Sequence, residues 1–253
     1  MQKFQIPGEV RDIISVLMKA GYEAYIVGGC VRDLLMDRPP KDWDIATDAN
    51  PEEIQKLFST FAGATADKPA TVYENEFGTV GVKTGSKDSR LAVVEITTFR
   101  KEEKYSELRH PDKIEFTTSI EEDLARRDFT INAIALEIQN SKVKNQNDNS
   151  KFKIIDPFNG QADLKNELVR AVGEPEKRFG EDALRLMRAV RFAAELDFQI
   201  EEQTSEAIKE SAGLLDRIAK ERVRDELVKI IMSPHHGPYK GMLQLEALGL
   251  LKS

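Results

Sequence analysis

Two aspartates, Asp42 and Asp44, stand one residue apart in the strand-like segment KDWDIAT. On a β-strand both carboxylates would share one face, and Trp43 would take the opposite one. Two carboxylates that point the same way repel each other unless a cation lies between them, and Mg²⁺ binds oxygen ligands, commonly one or two carboxylates together with phosphates. The pair alone leaves open a magnesium site and a solvated strand end.

A glycine pair precedes these aspartates. Gly28 and Gly29 end the apolar run EAYIV, just before a predicted helix start. Glycine lets a backbone approach a ligand closely, and the N–H groups of a helix N-terminus favour anions. Arg32 falls in the first helical turn, where a cation gains nothing from the helix dipole but is well placed for a phosphate. The spacing lacks both the Rossmann and the P-loop fingerprint. We interpret Cys30 as a small buried residue.

Glu95 lies among apolar neighbours in the predicted strand LAVVEITTF. A buried glutamate is costly unless it is paired or bound to a metal. If its strand runs beside that of Asp42 and Asp44, Glu95 becomes a third carboxylate. The alternative is that it faces solvent by simple alternation.

The segment RRDFTINAIA combines Arg127 and Asp128 with Asn132. It is either a helix end with surface ions, or a site where a guanidinium binds phosphate and the polar side chains bind ribose hydroxyls.

Downstream, the segment EDALRLMRAVRF is predicted to be helical, with Asp182, Arg185 and Arg188 on one face and Arg191 at its edge. Such a stripe is usually a solvated surface. However, an aspartate next to an arginine offers acceptors and donors that can read the edge of a nucleobase. The later segment ERVRDELVK is typical of a solvated helix face or a brace.

The elements that must position these residues change in character along the chain. Strand-like and helical segments are mixed up to about residue 160, with a charged loop at 101–113 and a polar hairpin tip at 139–151. From about residue 161 strand signals vanish, and amphipathic helices follow. The sequence therefore predicts a mixed α/β domain at 1–160 and an all-helical domain at 161–253.

Composition narrows the class of protein. The 253 residues are 40% hydrophobic and 32% charged, which is typical of a soluble globular protein. The sequence has no apolar run long enough for a membrane span and no signal-peptide pattern. One cysteine excludes internal disulfides and suits the cytoplasm. The formal charge of −7 means that any nucleic-acid site must come from clustered arginines. Nothing indicates a protein partner.

Together and in order, seven segments resemble the tRNA nucleotidyltransferase / poly(A) polymerase family of bacterial type, which includes CCA-adding enzymes: GGCVRD, DWDIAT, EITTFR, RRDFTINAIA, DPFNG, RFGEDALRLMRAVRF and ERVRDEL. The resemblance runs from about Gly21 to Leu251. It implies a polymerase-β-like catalytic head with a mixed sheet, followed by a helical neck. Members commonly continue into body and tail domains, so we expect a head-and-neck portion.

The resemblance also implies a role for each candidate. Asp42 and Asp44 would bind Mg²⁺, with Glu95 as the third catalytic carboxylate. Asp182 and Arg185 match the pair that selects C or A. The full set of implied nucleotide-binding residues is Gly28, Gly29, Arg32, Arg127, Asp128, Asn132, Asp182, Arg185, Arg188 and Arg191.

The implied activity is template-independent addition of CMP and AMP, from CTP and ATP, to the tRNA 3′ end by two-metal phosphoryl transfer. Within the same chemistry, the alternatives are an A-adding tRNA enzyme and a poly(A) polymerase. The charged loop resembles one that CCA- and A-adding members carry, which argues against a CC-adding enzyme. A further alternative is a catalytically idle module that binds RNA or nucleotides.

Overall fold

The computed structural model describes residues 4–59, 71–74, 78–103, 113–139 and 152–251. Its α-helices are α1 (Gly8–Lys19), α2 (Gly29–Leu35), α3 (Pro51–Phe58), α4 (Ile120–Ala125), α5 (Gly160–Lys165), α6 (Pro175–Glu181), α7 (Leu184–Leu196), α8 (Glu202–Ser211), α9 (Lys220–Ile231) and α10 (Gly237–Ala247). Its strands are β1 (Ala24–Val27), β2 (Asp44–Thr47), β3 (Thr71–Glu74), β4 (Thr79–Lys83), β5 (Val93–Thr98), β6 (Arg100–Glu103), β7 (Lys113–Phe116), β8 (Ala135–Ile138), β9 (Phe152–Ile155), β10 (Leu168–Val169) and β11 (Gln199–Ile200). Short 3-10 helices cover Thr130–Asn132 and Ala212–Arg217.

Seven strands form one mixed sheet in the order β3-β4-β5-β2-β1-β8-β9. The β2–β5 pair is parallel, and the other neighbouring strands are antiparallel. The segments ENEFGTVGVKTG and SRLAVVEITTF predict a β-hairpin or a meander, and β4 and β5 within them pair antiparallel. A mixed sheet followed by a mainly helical part confirms the predicted fold class.

One face of this sheet carries an apolar row. Ile26, Ile45, Ile96 and Val80 lie side by side in register on neighbouring strands, and all four are fully buried. Helix α1 contacts β1, and α3 contacts β4 and β5, so these helices contribute to the packing around the sheet. Because side chains alternate along a strand, the residues between these apolar positions point to the opposite face.

Helix α3 begins at a capping box. The side chain of Asn50 accepts a hydrogen bond from the Glu53 backbone N–H at 2.9 Å, and the Glu53 carboxylate accepts one from the Asn50 N–H at 2.8 Å. Pro51 follows at the first helical position, where its missing N–H costs nothing. The segment NPEEIQKLFSTF predicts a helix with a proline in its first turn, and the structure confirms this helix start.

The chain forms two compact units. The first comprises residues 1–101, 115–124 and 134–157, and the second comprises 102–114, 125–133 and 158–253. In the second unit α7 packs against α9 and α10, which also contact each other, while α6 packs on α8. The predicted division into domains at residue 160 stays a prediction.

The expectations for the charged loop and for the helical half were partly wrong. Strands β6 and β7 pair at the two ends of the charged loop, whose centre lies outside the described residues, as does the polar hairpin tip. Strand structure also continues past residue 161, because β10 pairs in parallel with β11. Two-residue strands are too short to show a periodic pattern, so they could not be predicted from apolar alternation.

The predicted long helix from Glu181 is two helices. Helix α6 ends at Glu181 and α7 begins at Leu184, while Asp182 has an extended backbone. Asp182 therefore does not project from the same helix as Arg185 and Arg188. Across the part of the chain that the structure describes, no helix has both the length and the apolar character needed to span a membrane.

Candidate active site

The predicted carboxylates meet where β2 runs beside β5. Asp44 opens β2, and its register partner in the parallel ladder is Glu95 on β5. Register partners project from the same face of a sheet, so the two carboxylates are neighbours. Glu95 is exposed and Asp44 is half-buried. The strand of Glu95 therefore runs beside the strand of Asp44, which confirms the condition for Glu95 to be a third carboxylate.

Asp42 lies in a bend just before β2 and is exposed. The next residue, Trp43, is buried, and its carbonyl accepts a hydrogen bond from the Glu95 N–H at 3.3 Å. The β2–β5 hydrogen bonding thus begins one residue before β2. Asp42 is exposed, Trp43 buried and Asp44 half-buried, which agrees with the predicted alternation of the two aspartates and the tryptophan. On the other side of Glu95 its register partner is Gly81, which brings no side chain there.

The glycine pair forms the connection between β1 and α2. Gly28 has φ 80° and ψ −141°, a conformation open essentially only to glycine, and its N–H donates to the Ile134 carbonyl at 3.3 Å. Gly29 is the first residue of α2, and a Cβ there would lie 3.5 Å from Arg32 Nη2. The arginine side chain therefore lies against the glycine turn.

Arg32 is held in this place by its neighbour. Its Nε and Nη2 atoms donate to Asp33 Oδ1 at 2.9 and 2.7 Å, and both residues are buried. Cys30 lies in the same turn with its Sγ atom 3.1 Å from the Val27 carbonyl oxygen. Burial raises the pKa of the Cys30 thiol to about 12, so it stays protonated and behaves as the predicted small buried residue.

In the second unit Asp128 is the centre of a hydrogen-bonded group. Its Oδ1 atom accepts from the Phe129 N–H at 2.9 Å and from Asn132 Nδ2 at 3.4 Å, and its Oδ2 atom accepts from Arg188 Nε at 2.8 Å. Burial alone would raise the pKa of Asp128, but the Arg188 guanidinium outweighs it and holds that pKa at about 2. Asp128, Asn132 and Arg188 are thus brought together as donors and acceptors of fixed orientation.

Arg185 is buried, and backbone and side-chain acceptors surround it. Nη1 donates to Glu181 Oε2 at 2.6 Å and to the Arg178 carbonyl at 3.1 Å, while Nη2 donates to the Arg126 carbonyl at 3.2 Å. Sequence reasoning missed Glu181 as its anchor, although the i, i+4 spacing of the two residues is a usable signal.

Asp182 has different partners. Its Oδ1 atom accepts from the N–H of Leu184, the first residue of α7, at 3.0 Å, and its Oδ2 atom pairs with Arg222 at 3.2 Å. Arg222 belongs to the segment ERVRDELVK, which therefore acts here as the predicted brace. Asp182 and Arg185 lie at the same α6–α7 junction, and each is held by its own set of contacts.

Arg191 links α7 to α9. Its Nε atom lies 2.6 Å from Glu226 Oε2 as an ion pair without hydrogen-bond alignment, and its guanidinium lies 4.2 Å from the centre of the Phe192 ring. Arg127, the last of the predicted residues, is half-buried beside Asp128 in the chain. The structure thus gives Arg191 a packing role, and its contact with a nucleotide stays a prediction.

Comparison with known proteins assigns the fold to a family. A family model described as the poly A polymerase head domain matches residues 24–170, and one described as a probable RNA and SrmB-binding site of polymerase A matches residues 197–253. The CCA-adding enzyme of Ligilactobacillus salivarius is 47% identical over 240 residues, which are 94% of this chain and 52% of that enzyme.

Solved structures give the same result. The Bacillus stearothermophilus CCA-adding enzyme in complex with CTP has a TM-score of 0.77 at 40% identity, covering 96% of this chain and 52% of that one. A CCA-adding enzyme in complex with ATP has a TM-score of 0.73 at 28% identity, covering 96% of this chain and 51% of that one. The chain spans about half the length of the curated relatives it matches.

The head-domain model covers more than half of the chain, and it includes the aspartate pair, Glu95 and the glycine turn. The second model covers α9 and α10, which brace the α6–α7 junction and α7. The sequence motifs and the fold class agree with these matches. The chain belongs to the tRNA nucleotidyltransferase / poly(A) polymerase family that the head-domain model defines.

Proposed function

We propose that this chain carries the catalytic part of a template-independent RNA nucleotidyltransferase, which adds CMP and AMP from CTP and ATP to the 3′ end of tRNA. The observation that carries the proposal is the register pairing of Asp44 with Glu95 across the parallel β2–β5 ladder. The similar enzymes are named for CCA addition, and two of their structures contain CTP or ATP. A cytoplasmic location is part of the same proposal.

The carboxylates suit Mg²⁺ as the metal. In the described part of the chain no three His, Cys, Asp or Glu side chains converge to hold a metal ion. A closed protein cage is not what Mg²⁺ needs, because it is usually bound by one or two carboxylates and completes its shell with water and phosphate oxygens. Asp42 and Asp44 would hold the ions, with Glu95 beside them. When bound, such ions activate the RNA 3′-hydroxyl and stabilise the leaving pyrophosphate.

The glycine turn supplies a place for the triphosphate. Gly29 is half-buried and has no side chain to keep a phosphate away, and Arg32 is held against it with its charge oriented by Asp33. A bound phosphate would gain a guanidinium whose position is already fixed, so little side-chain entropy would be lost on binding. Phosphoryl transfer depends mainly on such positioning and charge neutralisation.

The second unit offers groups that could read ribose and base. Asp128, Asn132 and Arg188 form one fixed group, and Asp182 and Arg185 form another at the α6–α7 junction. Hydrogen-bonding groups held by neighbours discriminate best, because a wrong base leaves them unpaired. A choice between C and A without a nucleic-acid template would rest on these residues.

Two alternatives follow from specific observations. The head-domain description names poly A polymerase, which keeps A addition and poly(A) synthesis in view. The chain also spans only about half of its relatives' length, so a module that binds nucleotides without catalysis is the other alternative.

One assay separates these functions. The chain is incubated with three tRNAs that end before CCA, after the first C and after CC, with Mg²⁺ and with CTP and ATP supplied separately. CCA addition predicts C incorporation into the first two tRNAs and A incorporation into the third. A incorporation alone indicates an A-adding enzyme, and long A tracts indicate a poly(A) polymerase. A folded chain that extends none of them contradicts the proposal.

A further inference from the structure

A continuous set of polar contacts in the second unit leads to the segment that carries Asp128 and Asn132. We call it the polar relay, and it consists of Thr130, Asp163, Arg170, Glu201 and Thr204. The Thr130 hydroxyl donates to Asp163 Oδ2 at 2.7 Å, and Arg170 Nε donates to the same oxygen at 3.1 Å. Arg170 Nη1 then pairs with Glu201 Oε1 at 3.1 Å.

The relay ends at the start of α8. Glu201 Oε2 accepts from the Thr204 N–H at 2.9 Å and from the Thr204 hydroxyl at 2.8 Å, which caps this helix. The Thr204 hydroxyl oxygen in turn accepts from the Ala171 N–H at 3.2 Å. Thr130, Asp163 and Thr204 are almost completely buried. Buried polar groups that satisfy one another fix a single arrangement, because each alternative leaves one of them unpaired.

The backbone of the Asp128 segment is tied to the same place. The Thr130 N–H donates to the Arg170 carbonyl at 2.9 Å, the Val172 N–H donates to the Asp128 carbonyl at 3.0 Å, and Phe129 forms a β-bridge with Ala171. The segment is thus paired like an added strand with the chain on either side of Arg170. The Thr130 side chain connects this segment to α5 through its hydrogen bond to Asp163.

Thr130 stands between the two residues proposed to contact the nucleotide. Asp128 is two residues before it and orients Arg188, and Asn132 is two residues after it at the end of the 3-10 turn. A shift of this turn would therefore move an acceptor, a donor and a guanidinium together. Displacements of about 1 Å in such a group can cost on the order of 100-fold in function.

We propose that Thr130 is a positioning residue for nucleotide binding, which acts through its buried hydrogen bond to Asp163 and not by touching the nucleotide. The inference rests on the proposed function, because it assumes that Asp128, Asn132 and Arg188 contact the nucleotide. It assigns to the polar relay a purpose beyond stability, namely to hold the geometry of this group.

The test compares matched variants by calorimetric titration with CTP and with ATP. Thr130→Val keeps the shape of the side chain and removes the hydroxyl, and we expect it to weaken binding of both nucleotides about tenfold. Thr130→Ser restores the hydroxyl and should bind within about twofold of the parent chain. The control is Thr84→Val, which removes a buried hydroxyl that donates to the Leu91 carbonyl at 2.6 Å in the first unit.

The outcomes separate this inference from the proposed function. Thr84→Val should lower the melting temperature without changing either Kd, which shows that lost stability alone does not weaken binding. If Thr130→Val binds CTP and ATP like the parent chain, the positioning role is overturned while the proposed function stands. If the parent chain binds neither nucleotide, the proposed function fails first and the inference falls with it.

A second variant covers a failure to fold. Thr130→Ala removes the same hydroxyl as Thr130→Val and places no extra methyl group against the Asp163 carboxylate, so it is the milder change. If Thr130→Val does not fold, the affinities of this second variant for CTP and ATP are compared with those of the parent chain instead. Weaker binding of both nucleotides supports the relay, and unchanged binding overturns it.

Discussion

The ion pair between Asp128 and Arg188 serves both the fold and the proposed nucleotide site. Arg188 keeps 33% of its side chain exposed, whereas that of Asp128 is only 8% exposed. The pair therefore holds a partly exposed arginine side chain on a buried carboxylate. A buried carboxylate without such a partner would be strongly unfavourable, so the two residues depend on each other.

This pair should make stability depend on acid pH. The pKa of Asp128 is lowered in the folded chain to about 2, so its contribution is fully present above about pH 4 and is lost as the pH falls towards 2. We expect Asp128→Asn to lose on the order of 2 kcal/mol of unfolding free energy at neutral pH, and the difference from the parent to shrink below pH 4. Urea unfolding of the variant and the parent chain, from neutral pH down into the acid range, measures this difference in unfolding free energy.

The control for this prediction is an exposed pair. Asp88 is bound by Arg90, which lowers the pKa of that carboxyl, but the side chains of Asp88 and Arg90 are 34% and 50% exposed. Asp88→Asn should change the unfolding free energy little at any pH, because exposed ion pairs are screened by water. Equal losses in both variants would contradict the role of burial at Asp128.

Glu95 gives a second prediction at the scale of the residue. Glu95→Gln keeps the size of the side chain and removes the charge beside Asp44, and we expect nucleotide addition to fall by at least about 100-fold with little loss of stability. The matched control is Glu137→Gln on β8 of the same sheet, whose carboxylate lies 3.8 Å from Lys153. Activity is measured by extension of tRNA. Similar activities of the two variants would exclude Glu95 from the catalytic group.

At the scale of elements, two glycines one turn apart let α10 pack closely. A Cβ on Gly241 would lie 2.4 Å from Ile230 Cγ2 on α9, and one on Gly237 would lie 2.6 Å from the Ala194 carbonyl oxygen on α7. Real Cβ atoms do not approach so closely, so the helices would have to move apart. The brace that α9 provides through Arg222 and Glu226 depends on this packing.

We therefore expect Gly241→Ala to destabilise the chain by about 1–3 kcal/mol through overpacking. Gly213→Ala is the control, because a Cβ there meets nothing within 4 Å. That change should alter the unfolding free energy by less than about 0.5 kcal/mol. Denaturant unfolding measures the free energy of unfolding of both variants. A Gly241→Ala variant as stable as the parent chain would contradict the close approach of α10 to α9.

The elements also show which parts of the fold the sequence can specify. The start of α3, the β4–β5 hairpin and the strand that carries Asp44 follow from proline position and apolar alternation, which are local signals. The break between α6 and α7 at Asp182 was missed, since its residues are compatible with one continuous helix. There the side chain of Asp182 accepts from the Leu184 N–H and binds Arg222, forty positions later in the chain, and no local pattern predicts the contact with Arg222.

The candidate site, like the fold, can be predicted from the sequence only in part. Alternation predicts that Asp42 and Asp44 share a face, but only the sheet order shows that β5 lies beside β2 and that Glu95 is the register partner of Asp44. The anchors Glu181 and Glu226 are ordinary helix residues in the sequence. Their roles depend on which arginine lies next to them after packing.

At the scale of the whole molecule, the proposed residues belong to two compact units. The aspartates, Glu95 and the glycine turn belong to the first, and Asp128, Arg185 and Arg188 belong to the second. The chain carries a formal charge of −7, so the overall charge does not favour RNA, and local arginines must bind it. Relatives are about twice as long as this chain, so activity of these 253 residues alone is the decisive question.

The most direct measurement is incorporation of labelled CMP from CTP into a tRNA that lacks its CCA end. The parent chain is compared, with Mg²⁺ present, with a variant that combines Asp42→Asn and Asp44→Asn. We predict that the parent chain extends the tRNA and that the variant is inactive although folded. A folded parent chain that extends no tRNA, or a variant as active as the parent, would contradict the account.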